Sequence, residues 1–139
     1  MRSSPRLVPE LVCSDLARSL SFYVGILGFA VAYERPERRF AYLEREGAEL
    51  MLQEPGVRVF VVGDLQQPYG RGVNLQIEAS DVDRLYEAVI AAGATLYLLM
   101  EEKWYRRDEV LLGNRQFIVL DPDGYLLRFF QDLGSRPAG

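Results

Sequence analysis

One pattern of residues occurs twice in this chain of 139 residues, and this repeat limits the possible folds more than any other feature. In both copies a strand-like segment ends at a Ser-Asp pair, Ser14-Asp15 in the first copy and Ser80-Asp81, 66 positions later, in the second. Ser and Asp side chains accept hydrogen bonds from the first backbone N–H groups of a helix, so each pair predicts a helix start. Two copies of one supersecondary unit are the simplest explanation.

Each copy continues with one helix and a series of strand-like runs. Apolar residues recur at helical spacing up to Gly28 in the first copy and up to Gly93 in the second, and glycine commonly ends a helix. Residues 57–62 form either a further strand or an extended connection. The helical stripes are Leu16, Leu20, Tyr23 and Leu27, then Val82, Leu85 and Val89; the predicted strands are 7–13, 29–33, 40–44, 49–53, 73–78, 94–100, 115–120 and 125–131.

These elements predict an α+β fold made of two tandem βαβββ units. Unit one covers about residues 5–65 and unit two about residues 72–132, and the Pro- and Gly-containing segment 66–72 links them within a single domain, 1–139. One unit has too few elements to bury both its sheet and its helix. The two units must therefore pack against each other, either within one chain or between two chains.

The charge and the hydropathy pattern exclude two classes of partner. A net charge of −4 and an isoelectric point near 4.9, without a basic cluster, argue against nucleic acid and against an anionic membrane surface. No apolar run approaches the roughly 20 residues that a membrane helix needs. The chain enters its first strand-like segment without the apolar stretch of a secretory signal, which predicts a cytoplasmic protein.

The chain contains no histidine and one cysteine, which limits its chemistry. Without histidine it lacks the commonest general base and the commonest transition-metal ligand. Cys13 has no partner for an internal disulfide and no histidine to activate it as a nucleophile, so we predict that it is a buried core residue. An enzyme built on this chain would need carboxylates, tyrosines, arginines or Lys103.

Two motifs, in this order, resemble those of a known superfamily. The opening S-D-L-A-R-S-L-S-F-Y of residues 14–23, followed by Leu27-Gly28-Phe29, resembles the D-x-x-R-S-x-x-F-Y…L-G-F opening of the glyoxalase/bleomycin-resistance/extradiol-dioxygenase (vicinal oxygen chelate) superfamily. The D-P-D-G turn of residues 121–124 resembles the closing turn of that superfamily. The resemblance covers nearly the whole chain. It implies a cupped, mostly antiparallel sheet from each unit, a cavity between two units, and commonly an intertwined dimer.

The resemblance also implies four metal-ligand positions, because enzymes of the superfamily hold a divalent ion there. The neighbouring motifs place these positions on Val8, near Met51, on Asn74 and on Arg128. Valine, methionine and a guanidinium group do not hold a hard divalent ion, and Asn74 alone does not compensate. The pattern therefore resembles the bleomycin-resistance branch, whose members carry no metal or other cofactor and sequester a drug without transforming it.

The candidate ligand-binding residues are of two kinds. Trp104 and Tyr105 lie in a stretch too charged for a core, so we expect a loop on which they stack against a flat or cationic ligand; Trp104 covering the core or an interface is the alternative. The others lie on the strand face that the superfamily turns toward its cavity: Glu10, Asn74, Gln76 and Glu78. Arg128, on the matching face of the last strand, is expected to pair with one of the carboxylates, in a structural pair or a catalytic dyad.

Together these residues predict a metal-free protein that binds a small molecule. The expected ligand is flat or cationic, and a bleomycin-type glycopeptide, with flat rings and a basic tail, fits that description. The alternative is an enzyme of the same superfamily, of the lyase or isomerase type, that uses Glu10 or Glu78 as a base. In either case we expect a homodimer, because each half must hide one face of its sheet.

Overall fold

The computed structural model describes residues 5–56 and 58–139. Within these residues the chain forms two α-helices, one 3-10 helix and eight strands, which pair into two four-stranded sheets. Each sheet combines one parallel pair with two antiparallel pairs, so the predicted α+β class and its two mostly antiparallel βαβββ units are confirmed. Neither helix in this part of the chain has the length and apolar character needed to cross a membrane.

Unit one supplies sheet one, in the strand order β1-β4-β3-β2. Its elements are β1 (Glu10–Val12), α1 (Leu16–Tyr23), β2 (Ala30–Arg35), the 3-10 helix (Pro36–Arg38), β3 (Phe40–Arg45) and β4 (Ala48–Gln53). Helix α1 begins where the sequence predicted, because the Asp15 carboxylate accepts a hydrogen bond from the backbone N–H of Arg18 at 3.2 Å. The helix ends at Tyr23 rather than near Gly28, yet the following turn still carries Leu27 into the core.

Unit two supplies sheet two, in the order β5-β8-β7-β6. Its elements are β5 (Asn74–Glu78), α2 (Val82–Ala91), β6 (Leu96–Arg107), β7 (Val110–Leu120) and β8 (Leu126–Pro137). Helix α2 is capped as α1 is, since the Asp81 carboxylate accepts a hydrogen bond from the backbone N–H of Arg84 at 3.1 Å. In the connection between β4 and β5, residues 58–62 form no strand, so the alternative of a further strand is wrong for them, and position 57 lies outside the described residues.

The predicted loop around Trp104 and Tyr105 is wrong, because both residues belong to strand β6. Strands β6 and β7 continue past the predicted strand ends as a long hairpin that turns at Asp108 and Glu109, and β8 follows them to Pro137. In this extension β6 and β8 are mostly exposed on both faces, so their sequences show no alternation of apolar and polar residues, whereas residues 110–114 of β7 between them are half-buried or buried. Periodicity therefore missed the strand, and the two adjacent aromatic residues were its remaining signal.

One face of each sheet packs against the helices, and the two buried faces share one apolar core. Cys13 belongs to this core, as predicted, and burial raises the pKa of its thiol to about 12. Side chains alternate across a strand, so the other face of each sheet points away from the core. The open face of sheet one carries Glu10, Tyr33, Phe40, Tyr42 and Met51; the open face of sheet two carries Gln76, Asn114, Gln116, Arg128 and Phe130.

The turn at residues 121–124 joins the two units. Its Asp121 carboxylate accepts a hydrogen bond from the Tyr23 hydroxyl of α1 at 2.7 Å. Its Asp123 carboxylate accepts one bond from the backbone N–H of Ser14 at 3.0 Å and another from the Ser14 hydroxyl at 2.6 Å. Burial raises the pKa of Asp121 above its ordinary value. The predicted turn is thus confirmed, and it also fastens unit two to unit one of the same chain.

Candidate functional site

A cavity of about 740 Å³ lies on the open face of sheet two. Because alternate residues of a strand share a face, strand β8 contributes Arg128, Phe130 and Asp132 to it. The complete lining is Gln76, Tyr105, Arg107, Leu112, Asn114, Arg128, Phe130, Asp132, Gly134 and Ser135. This volume lies within the range of roughly 300–1,000 Å³ that sites for drug-sized molecules occupy.

Arg128 lies at the inner end of the cavity, on the strand that pairs with β5. The parallel pairing of β5 with β8 sets Gln76 directly beside Arg128, and the Arg128 Nη2 group donates a hydrogen bond to Gln76 Oε1 at 2.6 Å. No carboxylate of the described residues forms an ion pair with Arg128, so the predicted Glu-Arg pair is wrong. The Arg128 Nε group is buried and has no hydrogen-bond partner in the described structure.

Gln116 fixes the position of the Tyr105 ring. Gln116 is 2% exposed, and its Nε2 group donates one hydrogen bond to the Tyr105 hydroxyl at 2.6 Å and another to Glu101 Oε2 at 2.8 Å. The Gln116 Oε1 atom is buried without a partner in this part of the chain. Since the Tyr105 hydroxyl accepts the bond from Gln116, its own hydrogen remains available to a ligand.

Three of the seven predicted ligand-binding residues line this cavity: Gln76, Tyr105 and Arg128. Trp104 points to the other face of β6, where its ring lies over the Cα atom of Gly113 and beneath the Arg136 guanidinium, 4.0 Å from the ring centroid. Its indole N–H donates a hydrogen bond to Glu102 at 3.1 Å. The structure therefore separates the two neighbouring aromatic residues that the sequence placed in one site.

The remaining predicted residues do not line the cavity either. Glu10 lies on β1 in sheet one, and Asn74 and Glu78 lie at the two ends of β5. All three are exposed. The expectation of a cationic ligand depended in part on Glu10 and Glu78 as cavity carboxylates, and neither of them lines this cavity.

Sequence reasoning missed an aromatic group on the open face of sheet one. The Tyr33 and Tyr42 rings stack with their centroids 4.9 Å apart, and the Phe40 ring lies 6.1 Å from Tyr33. The Arg35 guanidinium lies 4.7 Å from the Phe40 centroid, a cation–π geometry. Alternate aromatic positions in two predicted strands were the available signal, although Phe40 and Tyr42 equally resemble core residues.

Sequence reasoning also missed most of the polar lining of the cavity. Asn114 lies on the part of β7 before position 115, and Arg107 and Asp132 lie beyond the predicted ends of β6 and β8. For Arg107 and Asp132 the signal was a position that keeps the two-residue period with Tyr105 or Arg128 on the same strand. That period identifies these residues as cavity-facing only when the length of the hairpin is known.

The four positions that correspond to metal ligands in the superfamily do not form a metal-binding set here. Arg128 brings a positive charge that donates a hydrogen bond, and Met51 lies on sheet one beside Glu10. Within residues 5–56 and 58–139, no three His, Cys, Asp or Glu side chains lie close enough together to hold a metal ion. The donor groups therefore do not fit a divalent ion.

The family follows from a match along most of the chain. The model of the Glyoxalase/Bleomycin resistance protein/Dioxygenase superfamily matches residues 7–129, and the chain belongs to this superfamily. A bleomycin resistance protein of Geobacillus stearothermophilus is 27% identical over 137 residues, which cover 92% of this chain and 97% of that protein. An uncharacterised protein of Mycobacterium bovis is 30% identical, over 87% of this chain and 79% of its own length.

A solved structure has the same fold. The crystal structure of TioX from Micromonospora sp. ML1 superimposes with a TM-score of 0.68 and 26% identity. The match covers 91% of this chain and 98% of TioX. Both βαβββ units are therefore present in a related protein of nearly the same extent.

Proposed function

We propose that this chain binds a small organic molecule in the cavity of sheet two and holds it without a metal and without transforming it. The cavity carries the proposal, because a drug-sized volume is lined by the rings of Tyr105 and Phe130 and by polar groups of Gln76, Asn114 and Arg128. Bleomycin-type glycopeptides are the first ligands to test, since a bleomycin resistance protein is similar over 92% of this chain.

We further propose that the ligand is flat and that the protein is a homodimer. Tyr105 is 37% exposed in the cavity, and Tyr33, on the open face of sheet one, is 45% exposed. Covering the cavity of one chain with the open face of sheet one of a second chain would bury both rings and enclose a stacked ligand. Light scattering at micromolar concentration should report about twice 15.8 kDa, and the mass of one chain would contradict the dimer.

The alternative of an enzyme with Glu10 or Glu78 as base receives no support from the geometry. The two carboxylates lie on different sheets, and neither lines the cavity. A stoichiometric binding protein needs no base, and it needs no activated thiol. The proposed cytoplasmic location agrees with the free, buried Cys13.

The test is a calorimetric titration with a metal-free drug of the bleomycin family. The wild-type protein should bind the drug with a micromolar or lower Kd. Tyr105→Ala should weaken binding about fivefold to tenfold, because one stacked aromatic ring is lost. Trp104→Ala is the matched control on the opposite face of the same strand, and it should change the Kd by about twofold or less. The wild-type gene should also protect a drug-sensitive host.

Each result has a clear consequence. If the wild-type protein neither binds the drug nor protects the host, bleomycin-type drugs are not its ligands. If Trp104→Ala weakens binding as much as Tyr105→Ala does, Trp104 contacts the ligand, as the sequence suggested, and the cavity on sheet two is not the whole site.

A further inference from the structure

The charges around the cavity favour an anion. Two guanidinium groups, from Arg107 and Arg128, line it, and the lining contains one carboxylate, from Asp132. The Asp132 carboxylate already accepts a hydrogen bond from the backbone N–H of Gly134 at 2.8 Å. Within the described residues, neither guanidinium is in an ion pair. The groups that line the cavity therefore carry one net positive charge, although Glu78 and Glu101 lie on the same face of sheet two and the chain as a whole carries a net charge of −4.

Arg128 is the less solvated of the two cations. It is half-buried on a central strand, whereas Arg107 is exposed near the hairpin turn. A guanidinium group has five N–H donors, and the bond to the neutral Gln76 amide uses one of them. A half-buried cation with a neutral partner is less stable than one that faces a carboxylate, because burial weakens its interaction with water. Arg128 is thus placed to gain from a planar anion.

We propose that Arg128, held in place by Gln76, anchors a carboxylate group of the ligand at the inner end of this cavity. The guanidinium plane and a carboxylate match in shape, which allows two parallel hydrogen bonds. The rings of Tyr105 and Phe130 line the same cavity, so the ligand we propose is a flat molecule that carries a carboxylate. This inference depends on the proposed function in one respect, namely that the cavity binds a small molecule, and it specifies the class of that molecule.

Two other groups compete for Arg128, and the test must distinguish them. Glu78 lies two residues after Gln76 on the same face of β5, beside Phe130 of β8, and it makes no ion pair with Arg128. A carboxylate from a second chain is the other competitor, if the open face of sheet one covers the cavity. In the first case Glu78→Gln would alter ligand binding, and in the second Arg128→Gln would alter the oligomeric state.

The experiment uses three flat probes of equal size: 2-naphthoate, 2-naphthamide and 2-naphthylmethylammonium. Binding to the full-length protein is measured by calorimetry or by ligand-observed NMR. In the wild-type protein, 2-naphthoate should bind about tenfold more tightly than 2-naphthamide and more tightly still than the ammonium probe, because a charge-assisted bond replaces a neutral one. Arg128→Gln should reduce this preference to about twofold or less.

Three further variants control the result. Arg106→Gln removes the same charge from the opposite face of β6 and should keep the preference for 2-naphthoate. Arg128→Lys should keep part of it, since the charge remains but the forked donor geometry is lost. Glu78→Gln should leave it unchanged or larger. Circular dichroism and light scattering should show that every variant keeps the wild-type fold and mass.

The proposal is overturned if the wild-type protein prefers the amide or ammonium probe, if it binds none of the three, or if Arg128→Gln keeps the preference. If Arg128→Gln changes the oligomeric mass and the variant still prefers 2-naphthoate, Arg128 belongs to the interface between chains instead. A protein that binds the bleomycin-family drug but not 2-naphthoate keeps the proposed function and loses the carboxylate anchor. Arg128-dependent binding of 2-naphthoate without drug binding would keep the carboxylate anchor and remove bleomycin-type drugs as ligands.

Discussion

The two open faces of this protein come from the same repeated unit, but they differ in chemistry. The open face of sheet one is aromatic, with Tyr33 and Tyr42 stacked at 4.9 Å. The open face of sheet two is polar and holds the cavity, with Gln116 and Arg128 each leaving one buried polar atom without a partner in the described residues. On the buried sides, both sheets contribute to one apolar core. The repeat therefore keeps the packing of the unit and leaves the open face free to acquire function.

The largest expected effect contrasts two neighbours on β8, Phe129 on the buried face and Arg128 on the open face. Phe129 is fully buried and stacks on Phe117 at 5.7 Å, so Phe129→Ala should lower the free energy of unfolding by about 3–5 kcal/mol. Arg128→Gln should change it by about 1 kcal/mol or less. Denaturant titration at one fixed protein concentration measures both. Equal losses would show that the open face is part of the structural core.

An intermediate effect is expected where the two units meet. Tyr23→Phe removes the hydroxyl that donates to the Asp121 carboxylate, which should cost about 1–3 kcal/mol at pH 7. Burial already raises the pKa of Asp121, and losing this donor raises it further. A raised pKa means that protonation of Asp121 favours the folded state, so the cost of Tyr23→Phe should shrink as the pH falls toward about 4.

The control for this prediction is Tyr86→Phe on α2. Tyr86 packs its ring against Phe117, and its hydroxyl makes no hydrogen bond within residues 5–56 and 58–139. Thermal unfolding of both variants and of the wild-type protein across this pH range is the measurement. A cost of Tyr23→Phe that stays constant with pH, or one equal to the cost of Tyr86→Phe, would mean that Asp121 does not link the units.

The smallest expected effect on the free energy of unfolding concerns the first turns of the two helices. The Glu54 carboxylate accepts a hydrogen bond from the backbone N–H of Leu16 at 2.8 Å, and the Gln131 amide oxygen accepts the equivalent bond from Val82 at 3.1 Å. The bond from Leu16, followed by the bond from Arg39, lowers the pKa of Glu54. A lowered pKa stabilises the folded state above the ordinary value of 4.5, and this contribution is lost as the pH falls through the folded-state pKa.

Glu54→Gln should therefore give α1 a neutral amide at its first turn, as Gln131 gives α2. At pH 7 it should lower the free energy of unfolding by about 0.5–1 kcal/mol, because a charged cap near a helix start becomes a neutral one. Below the ordinary pKa range of glutamate the difference from the wild-type protein should disappear. Thermal unfolding of both proteins at pH 7 and below the pKa range of glutamate tests this. A stability difference that persists in acid would assign the effect to packing.

The sequence predicted the buried part of this molecule well and the functional part poorly. The Ser-Asp caps, the apolar stripes and the order of the strands follow from burial, which imposes a regular period on the residues. The β6 arm of the hairpin beyond Met100 is mostly exposed, so its residues follow no such period, and the face of Trp104 could not be inferred. The partner of Arg128 depends on the register of a parallel pair, which sets Gln76 rather than Glu78 beside it.

The central claim is that the open face of sheet two, and not the aromatic face of Trp104, binds the small molecule. The most direct test is a titration of isotope-labelled protein with a metal-free bleomycin-family drug, followed by backbone amide NMR shifts. The largest shifts should fall on Gln76, Asn114, Arg128 and Phe130, with small shifts on the buried neighbours of the same strands. Shifts that concentrate around Trp104, Gly113 and Arg136 would contradict the claim.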